Sequence, residues 1–341
     1  MNYKIIQDKY PEAVAIGLTR KCNLSCLMCP YRAGKQKSDL PFSIFRKIDR
    51  ELFPHVDNVF FCGSGESILY PEFLSVLGSI KKYKFKWGWH IATNGLLIDD
   101  KIAQALIDGG AEKIIISVDA ATDKTYRRIR GFLKRRSDDI SLARLAGNLN
   151  RINLIKAKIR KNNPRIWFNF LVMRFNLPEL PLLVRIAGKY KVDRIQLVRL
   201  AYQKDDPWKK YAVDINDERS RRIIGKSIFL GSKLNVKITL EFYEGNSNCN
   251  IPCPIPWKWA IINENGEFMP CSWISKSRCG FEVGNLRRNN FMEIWNNDRM
   301  KELRKTILDG TYSFCGKYAS PNCAHLINRR IVVTAKRENQ S

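Results

Sequence analysis

Six apolar, β-rich runs alternate with helical patterns from residue 13 to about residue 200, and this rhythm limits the fold more than any other feature of the chain. The strand candidates are Ala13–Leu18, Asp57–Phe61, Trp87–Ala92, Lys113–Val118, Arg165–Met173 and Asp193–Leu200. Between them, Phe42–Leu52 (after Pro41), Phe73–Tyr83, Asp100–Asp108, Ser141–Lys158 and Leu177–Tyr190 carry apolar residues at helical spacing. Strand–helix units in series imply parallel strands with right-handed crossovers. A doubly wound sheet and a partial barrel both satisfy the pattern, and periodicity does not choose between them.

After residue 200 the rhythm breaks. Ala201–Ile215 is polar and contains Pro207, and reads as a linker. A helix at about Asp217–Leu230 and a strand at Val236–Phe242 follow. Trp257–Asn263 and Glu267–Pro270 flank Glu264-Asn265-Gly266, a hairpin signal, and Phe291–Leu308 reads as a helix. The expected division is a barrel domain over 1–205 and a small cysteine-rich domain over 206–341. The second core is small, so metal binding would add folding energy.

Hydrophobic residues make up 45% of the chain, enough for a full core. No apolar run of about 18 residues exists, so no membrane span is expected. The N-terminus lacks a signal-peptide core, which makes the cytoplasm the default location. The net charge is +26, and Lys124–Arg165 alone holds fourteen Lys or Arg against Asp138 and Asp139. Such a stretch suits phosphates of nucleic acid, or simply a solvated helical face. Tyr126, Phe132 and Trp167 lie in or beside it without forming a repeated stacking platform.

Ten cysteines without an export signal point to metal or catalysis rather than to disulfides. Three fall in Thr19-Arg20-Lys21-Cys22-Asn23-Leu24-Ser25-Cys26-Leu27-Met28-Cys29-Pro30, spaced C-x3-C-x2-C. This segment follows the first strand, where catalytic loops of parallel α/β folds lie. Three thiolates can hold three irons of a cubane and leave the fourth open. Structural zinc is the alternative, and it would want a fourth ligand nearby; His55 is the closest histidine.

The triplet resembles the cluster motif of the radical S-adenosylmethionine (SAM) superfamily, with Met28 at the usual aromatic position. Its Cys-Asn-Leu-x-Cys-x-Met-Cys-Pro form looks like the subset with SPASM or Twitch extensions. The resemblance implies a partial (β/α)6 TIM-like barrel followed by a small SPASM/Twitch-like α+β domain. It implies a [4Fe–4S] cluster on Cys22, Cys26 and Cys29, with SAM on the open iron. An electron donor such as a flavodoxin or ferredoxin would drive SAM cleavage to methionine and a 5′-deoxyadenosyl radical. That radical would abstract hydrogen from a peptide, protein or sugar-like substrate.

Further positions match by resemblance. Gly63-Ser64-Gly65-Glu66 is similar to the family region that meets the SAM amino group, with Ser67 where Pro is common. Thr93 and Asn94 lie in a Thr-Asn-Gly turn. Ser117 and Asp119 stand where relatives contact the ribose, and Arg130 lies in a Y-x-x-I-R-G-like stretch and could pair with a carboxylate. Cys62 reads as a core thiol. No catalytic acid or hydrogen donor is nominated.

Cys253-x12-Gly266-x4-Cys271 resembles the opening half of the SPASM/Twitch pattern. In the closing half only Cys315 and Cys323 remain, and Tyr318 stands where a second cysteine is expected. This implies one auxiliary [4Fe–4S] cluster on Cys253, Cys271, Cys315 and Cys323, with Cys249 and Cys279 in reserve. The barrel pattern starts near residue 13, so a separate partner would be expected to capture any peptide leader. Two other readings stay open at this point: a radical SAM enzyme acting on nucleic acid such as tRNA, and a non-catalytic zinc-binding interaction protein.

Overall fold

The computed structural model describes residues 4–7, 9–29, 31, 38–131, 139–200, 202, 206–215, 217–241, 252–272, 282–318 and 323. In chain order its elements are β1 (Ala13–Ile16), α1 (Phe42–Glu51), β2 (Asn58–Phe61), α2 (Phe73–Ile80), β3 (Trp89–Thr93), α3 (Asp100–Asp108), β4 (Lys113–Ser117), α4 (Asp123–Arg130) and α5 (Leu142–Lys158). Then come β5 (Arg165–Val172), α6 (Leu180–Lys189), β6 (Arg194–Arg199), α7 (Glu218–Lys233), β7 (Lys237–Glu241), α8 (Ile255–Lys258), β8 (Trp259–Ile262) and β9 (Glu267–Met269). The last are β10 (Gly284–Asn285), α9 (Phe291–Trp295), α10 (Asp298–Leu308) and α11 (Ser313–Tyr318). They form two compact units, Leu18–Asp39 with Phe60–Phe242, and Met1–Gly17 with Leu40–Val59 and Tyr243–Ser341.

In the first of these units, β3 to β7 pair in sequence order and all in parallel. A parallel pair needs a long crossover, and α3, α4 with α5, α6 and α7 supply them. The helices start where side chains cap them: Asp99, Thr122, Ser141 and Asp217 each accept a first-turn N–H. One sheet face is dry, with Ile91, Ile114, Ile116, Ile166, Phe168, Phe170, Ile195 and Leu197 fully buried. Each such side chain contributes about 1.5–3 kcal/mol. The other face is half-buried and carries His90, Lys113, Ile115, Ser117, Trp167, Asn169, Leu171, Arg194, Gln196 and Val198. The sheet is open, with β7 as a terminal strand. This is the parallel α/β sheet expected of a partial barrel.

The other unit pairs β1 with β8 in parallel, and β8 with β9 and β9 with β10 antiparallel. The Glu264–Gly266 turn is where the hairpin signal put it; Asn263 Oδ1 accepts from the N–H groups of Asn265 and Glu267. Phe268, Phe291 and Trp295 pack ring on ring. The fully buried Arg304 lies 4.5 Å over the Trp295 ring and donates to the carbonyls of Pro256 and Trp295.

Four local expectations change. The run 201–215 is no plain linker: Tyr202, Trp208, Tyr211 and Ala212 pack on the buried Ile129, Met173 and Leu200. The expected helix Phe291–Leu308 is two helices, because Asn297 caps α10 through Met300 N–H. Trp257 sits in α8 and the strand starts at Trp259. Asp123–Arg130 is a helix that the apolar spacing alone did not reveal.

Two predictions follow from this packing. Replacing the cap by Asn297→Ala should lower unfolding free energy by about 1 kcal/mol, and Asn297→Gly by only a few tenths, in denaturant titrations. His90 is held down from 6.5 to about 4 by burial and then by Lys113, with Arg165 adding and Glu112 opposing. A neutral folded histidine stabilises fully above its ordinary value and loses that contribution as pH falls through its folded value. Titrating the denaturation midpoint from 6.5 to 4 should therefore show a stability loss that His90→Gln reduces.

Candidate functional site

The site grows from the ends of parallel strands. The cysteine loop follows Leu18, and its backbone is held by the end of α4: Ser25 N–H donates to Arg130 O at 3.3 Å and Leu27 N–H to Ile129 O at 2.7 Å. Leu24 and Leu27 are buried and anchor the loop. Upstream, Thr19 donates to Asp39 at 2.6 Å, and Lys21 pairs with Asp39 at 2.5 Å.

Glu66 ties the loop to β3. Its N–H donates to Lys21 O at 2.8 Å. One carboxylate oxygen accepts from the Thr93 hydroxyl at 2.7 Å, and the other from Asn94 N–H at 2.8 Å. Asn94 in turn donates to Asn23 at 2.8 Å, inside the cysteine motif. Burial pushes the Glu66 carboxyl up, opposed by the Asn94 N–H and the Thr93 hydroxyl. The Ile68 N–H also bonds this carboxylate and opposes the rise. Gly65 is needed for close approach: a Cβ there would stand 2.4 Å from Lys21 O and 2.5 Å from Thr19 O. Gly95 has φ +78°, the left-handed region, and lets the Thr-Asn-Gly turn close.

The third anchor is a buried ion pair. Asp119 follows β4, is fully buried, and pairs with Arg130 at 2.5 Å. It also accepts from Leu171 N–H at 2.8 Å. Arg130 donates to the Cys26 sulfur at 3.7 Å. Burial opposes the Arg130 charge, but Asp119 and Cys26 outweigh it and its pKa moves up. Asp119 therefore reaches the cysteine loop through Arg130. Ser117 is half-buried at the end of β4, paired in register with Asn169.

Cys22 is exposed, and Cys26 and Cys29 are half-buried. Cys22 is nevertheless pushed up to about 12, first by desolvation, with Glu66, Cys26 and Cys29 adding. Burial also raises Cys26, with Arg130 opposing. The three sulfurs act on one another, yet among the described residues no three Cys, His, Asp or Glu side chains converge as a single metal ion requires. An all-thiol triplet that binds a different iron through each sulfur has no such need, and the donor set fits an iron–sulfur cluster. Met28, like Phe175, Tyr202, Trp208 and Tyr211, packs against the buried Ile129, Met173 and Leu200. Cys62 is pushed up to about 12 by burial alone, as a core thiol would be.

In the other unit the structure brings Cys253, Cys271, Cys315 and Cys323 within electrostatic reach. Cys315 is pushed up by burial and then by the other three, and Cys253 to about 11 by burial and Cys323. Cys253 N–H donates to the Tyr312 hydroxyl at 3.0 Å. Cys249, Cys279, Trp273, Phe132 and His325 lie outside the described residues. Sequence reasoning missed Asn23, Asp39 and Tyr312; only Asn23 had a signal, its place inside the motif.

The Radical SAM superfamily model matches residues 16–153, and the SPASM iron–sulfur cluster-binding domain model matches residues 253–324. A tungsten-containing aldehyde ferredoxin oxidoreductase cofactor-modifying protein of Pyrococcus furiosus is 23% identical over 87% of this chain and 84% of its own. The mycofactocin maturase MftC of Mycobacterium ulcerans is 24% identical, covering 91% and 81%. The PqqA peptide cyclase of Gluconobacter oxydans is 21% identical, covering 84% and 76%. Among solved structures, Streptococcus suis SuiB bound to S-adenosylmethionine matches with TM-score 0.67 at 17% identity, over 93% of this chain and 72% of that one. Native anSMEcpe with bound AdoMet matches with TM-score 0.63 at 13% identity, over 96% and 98%. No described helix is long and apolar enough to cross a membrane.

Removing one partner of a buried ion pair leaves a stranded charge and costs about 3–5 kcal/mol. Asp119→Ala should lose stability on that scale in denaturant titrations, and Asp119→Leu combined with Arg130→Met should lose less than the single change.

Proposed function

Because the chain belongs to the radical SAM superfamily and carries a SPASM iron–sulfur cluster-binding domain, we propose that this enzyme modifies a peptide or protein side chain by hydrogen-atom abstraction. The observation that carries the reading is the clamp on the cysteine loop, built from Glu66, Asn94 and the Arg130–Asp119 pair at the ends of parallel strands. Relatives named for a peptide cyclase and a maturase support a peptide substrate.

Cys22, Cys26 and Cys29 would hold the cluster, which would supply the electron for reductive cleavage of SAM and so the hydrogen-abstraction chemistry. The chain's own part is positioning and charge. Arg130 offsets the negative charge of the Cys26 thiolate and fixes the loop's direction. The Glu66 carboxylate would accept from an ammonium donor, and the Gly63–Gly65 backbone permits close approach of a ligand. Thr93, Asn94 and Ser117 add hydrogen-bonding groups on the same strand ends. Cys253, Cys271, Cys315 and Cys323 would hold one auxiliary cluster. Four thiolates would close it, which suits electron acceptance from substrate rather than substrate binding.

The test is anaerobic reconstitution followed by electron paramagnetic resonance with and without SAM, and chromatography for 5′-deoxyadenosine. The expected result is a reduced cubane signal that shifts with SAM, and nucleoside formation, both absent in Cys22→Ala/Cys26→Ala/Cys29→Ala. A residual signal in that variant reports the auxiliary cluster. Zinc without iron in protein prepared this way would sink the proposal.

A further inference from the structure

The half-buried sheet face carries a basic row that the site above does not use. Lys113 and Arg165 are register partners at the starts of β4 and β5, and His90 pairs with Lys113. Two residues further along β5, Trp167 pairs with Arg194, and Arg194 with Lys237. Paired residues point to the same side of a sheet, so all five basic groups and Trp167 share one face. The Trp167 ring is gripped by two cations, with Lys113 Nζ at 4.7 Å and Arg194 Cζ at 4.0 Å from its centroid. Glu112, the acid beside them, is taken up by Arg165 and Asn163.

Lys113 and Arg194 are half-buried and Arg165 and Lys237 exposed; gathering these cations on one face is electrostatically uphill, and an anion placed among them reverses that. Burial, and then Arg165 and Arg194, oppose the charge on Lys113, with Glu112 favouring it in part. The next row toward the cysteine loop is Ser117, Asn169, Gln196 and Thr239, aligned by register. Asn169 Oδ1 is buried and has no hydrogen-bond partner among the described residues. It asks for an N–H donor one row above the cations. A peptide with an acidic side chain offers both groups, whereas inorganic phosphate offers only the charge.

We infer that Lys113, Arg165, Arg194 and Lys237, gathered on the face of Trp167 with the neutral His90 beside them, form an anchor for a carboxylate of an extended acidic peptide segment, whose backbone runs past Asn169 toward the cysteine loop. This rests on the peptide reading above. From Trp167 to the end of β5 at Val172 is about five residues of rise, or about 17 Å. An extended peptide covers that in about five residues, so the acidic residue lies about five positions from the residue that reacts.

The experiment is a tryptophan-fluorescence titration of the full chain with hexaglutamate, with hexaglutamine and inorganic phosphate as comparison probes. Hexaglutamate should give a saturable change that Trp167→Phe abolishes. Lys113→Gln and Arg194→Gln should each weaken binding about tenfold, Lys113→Arg should restore it, and exposed Lys101→Gln should leave it unchanged. The inference falls if the change persists in Trp167→Phe, if Lys101→Gln acts as strongly as Lys113→Gln, or if phosphate binds as tightly as the peptide. Circular dichroism checks each variant's fold, and Lys113→Arg with Trp167→Phe decides the matter should the glutamine variants unfold. Loss of binding with 5′-deoxyadenosine formation intact overturns this inference alone; binding without SAM cleavage overturns the functional reading alone.

Discussion

Arg130 is where the geometry of the barrel unit converges. Its carbonyl accepts from Ser25, its guanidinium meets the Cys26 sulfur, and its charge is matched by a carboxylate at zero exposure after β4. A guanidinium holds its charge under nearly any burial, and its fork lets it serve two partners at once. Lysine would supply a point charge without that fork. One side chain therefore couples the end of a helix, the end of a strand and the cluster loop, and the loop takes its direction from a pair buried in the sheet's margin.

Glu66 gives the same loop its second fixed point. Because its oxygens reach Thr93 and Asn94 while its N–H reaches Lys21, the Gly-rich turn, the Thr-Asn-Gly turn and the cysteine motif are tied together. The close approach of Gly65 to two loop carbonyls makes that possible. Polar groups buried this deeply are affordable only when hydrogen-bonded. The hydrogen-bond network thus orders the cysteine loop, while the basic row lies at the opposite end of the same strands.

The second unit solves a different problem. Its aromatic stack of Phe268, Phe291 and Trp295 closes over the buried Arg304, whose N–H groups satisfy backbone carbonyls from separate segments. The Cys253 N–H donates to Tyr312, and Cys271, Cys253 and Cys323 each disfavour the thiolate of Cys315. A cluster bound there would replace protons on these sulfurs, so cofactor binding and local stability would be linked.

Much of this was legible in the residues. The alternation of strands and helices set the parallel sheet, because a period of two and a period of 3.6 bury different faces. The C-x3-C-x2-C spacing set the cluster loop, and Gly266 set the hairpin, because both are local. Helix α4 escaped because Asp123–Arg130 is so basic that its apolar stripe reduces to Tyr126 and Ile129. The run 201–215 looked like a linker because its aromatics are scattered, and only the fold gives Trp208 and Tyr211 a surface to pack on. Local spacing by itself determined the elements and the thiol donors. Tertiary structure decided what they face: that Asp119 acts through Arg130, that Glu66 latches two turns, and that Lys113 and Arg194 close on Trp167. Those contacts join residues tens of positions apart, and no periodicity in a sequence encodes which strand lies beside which.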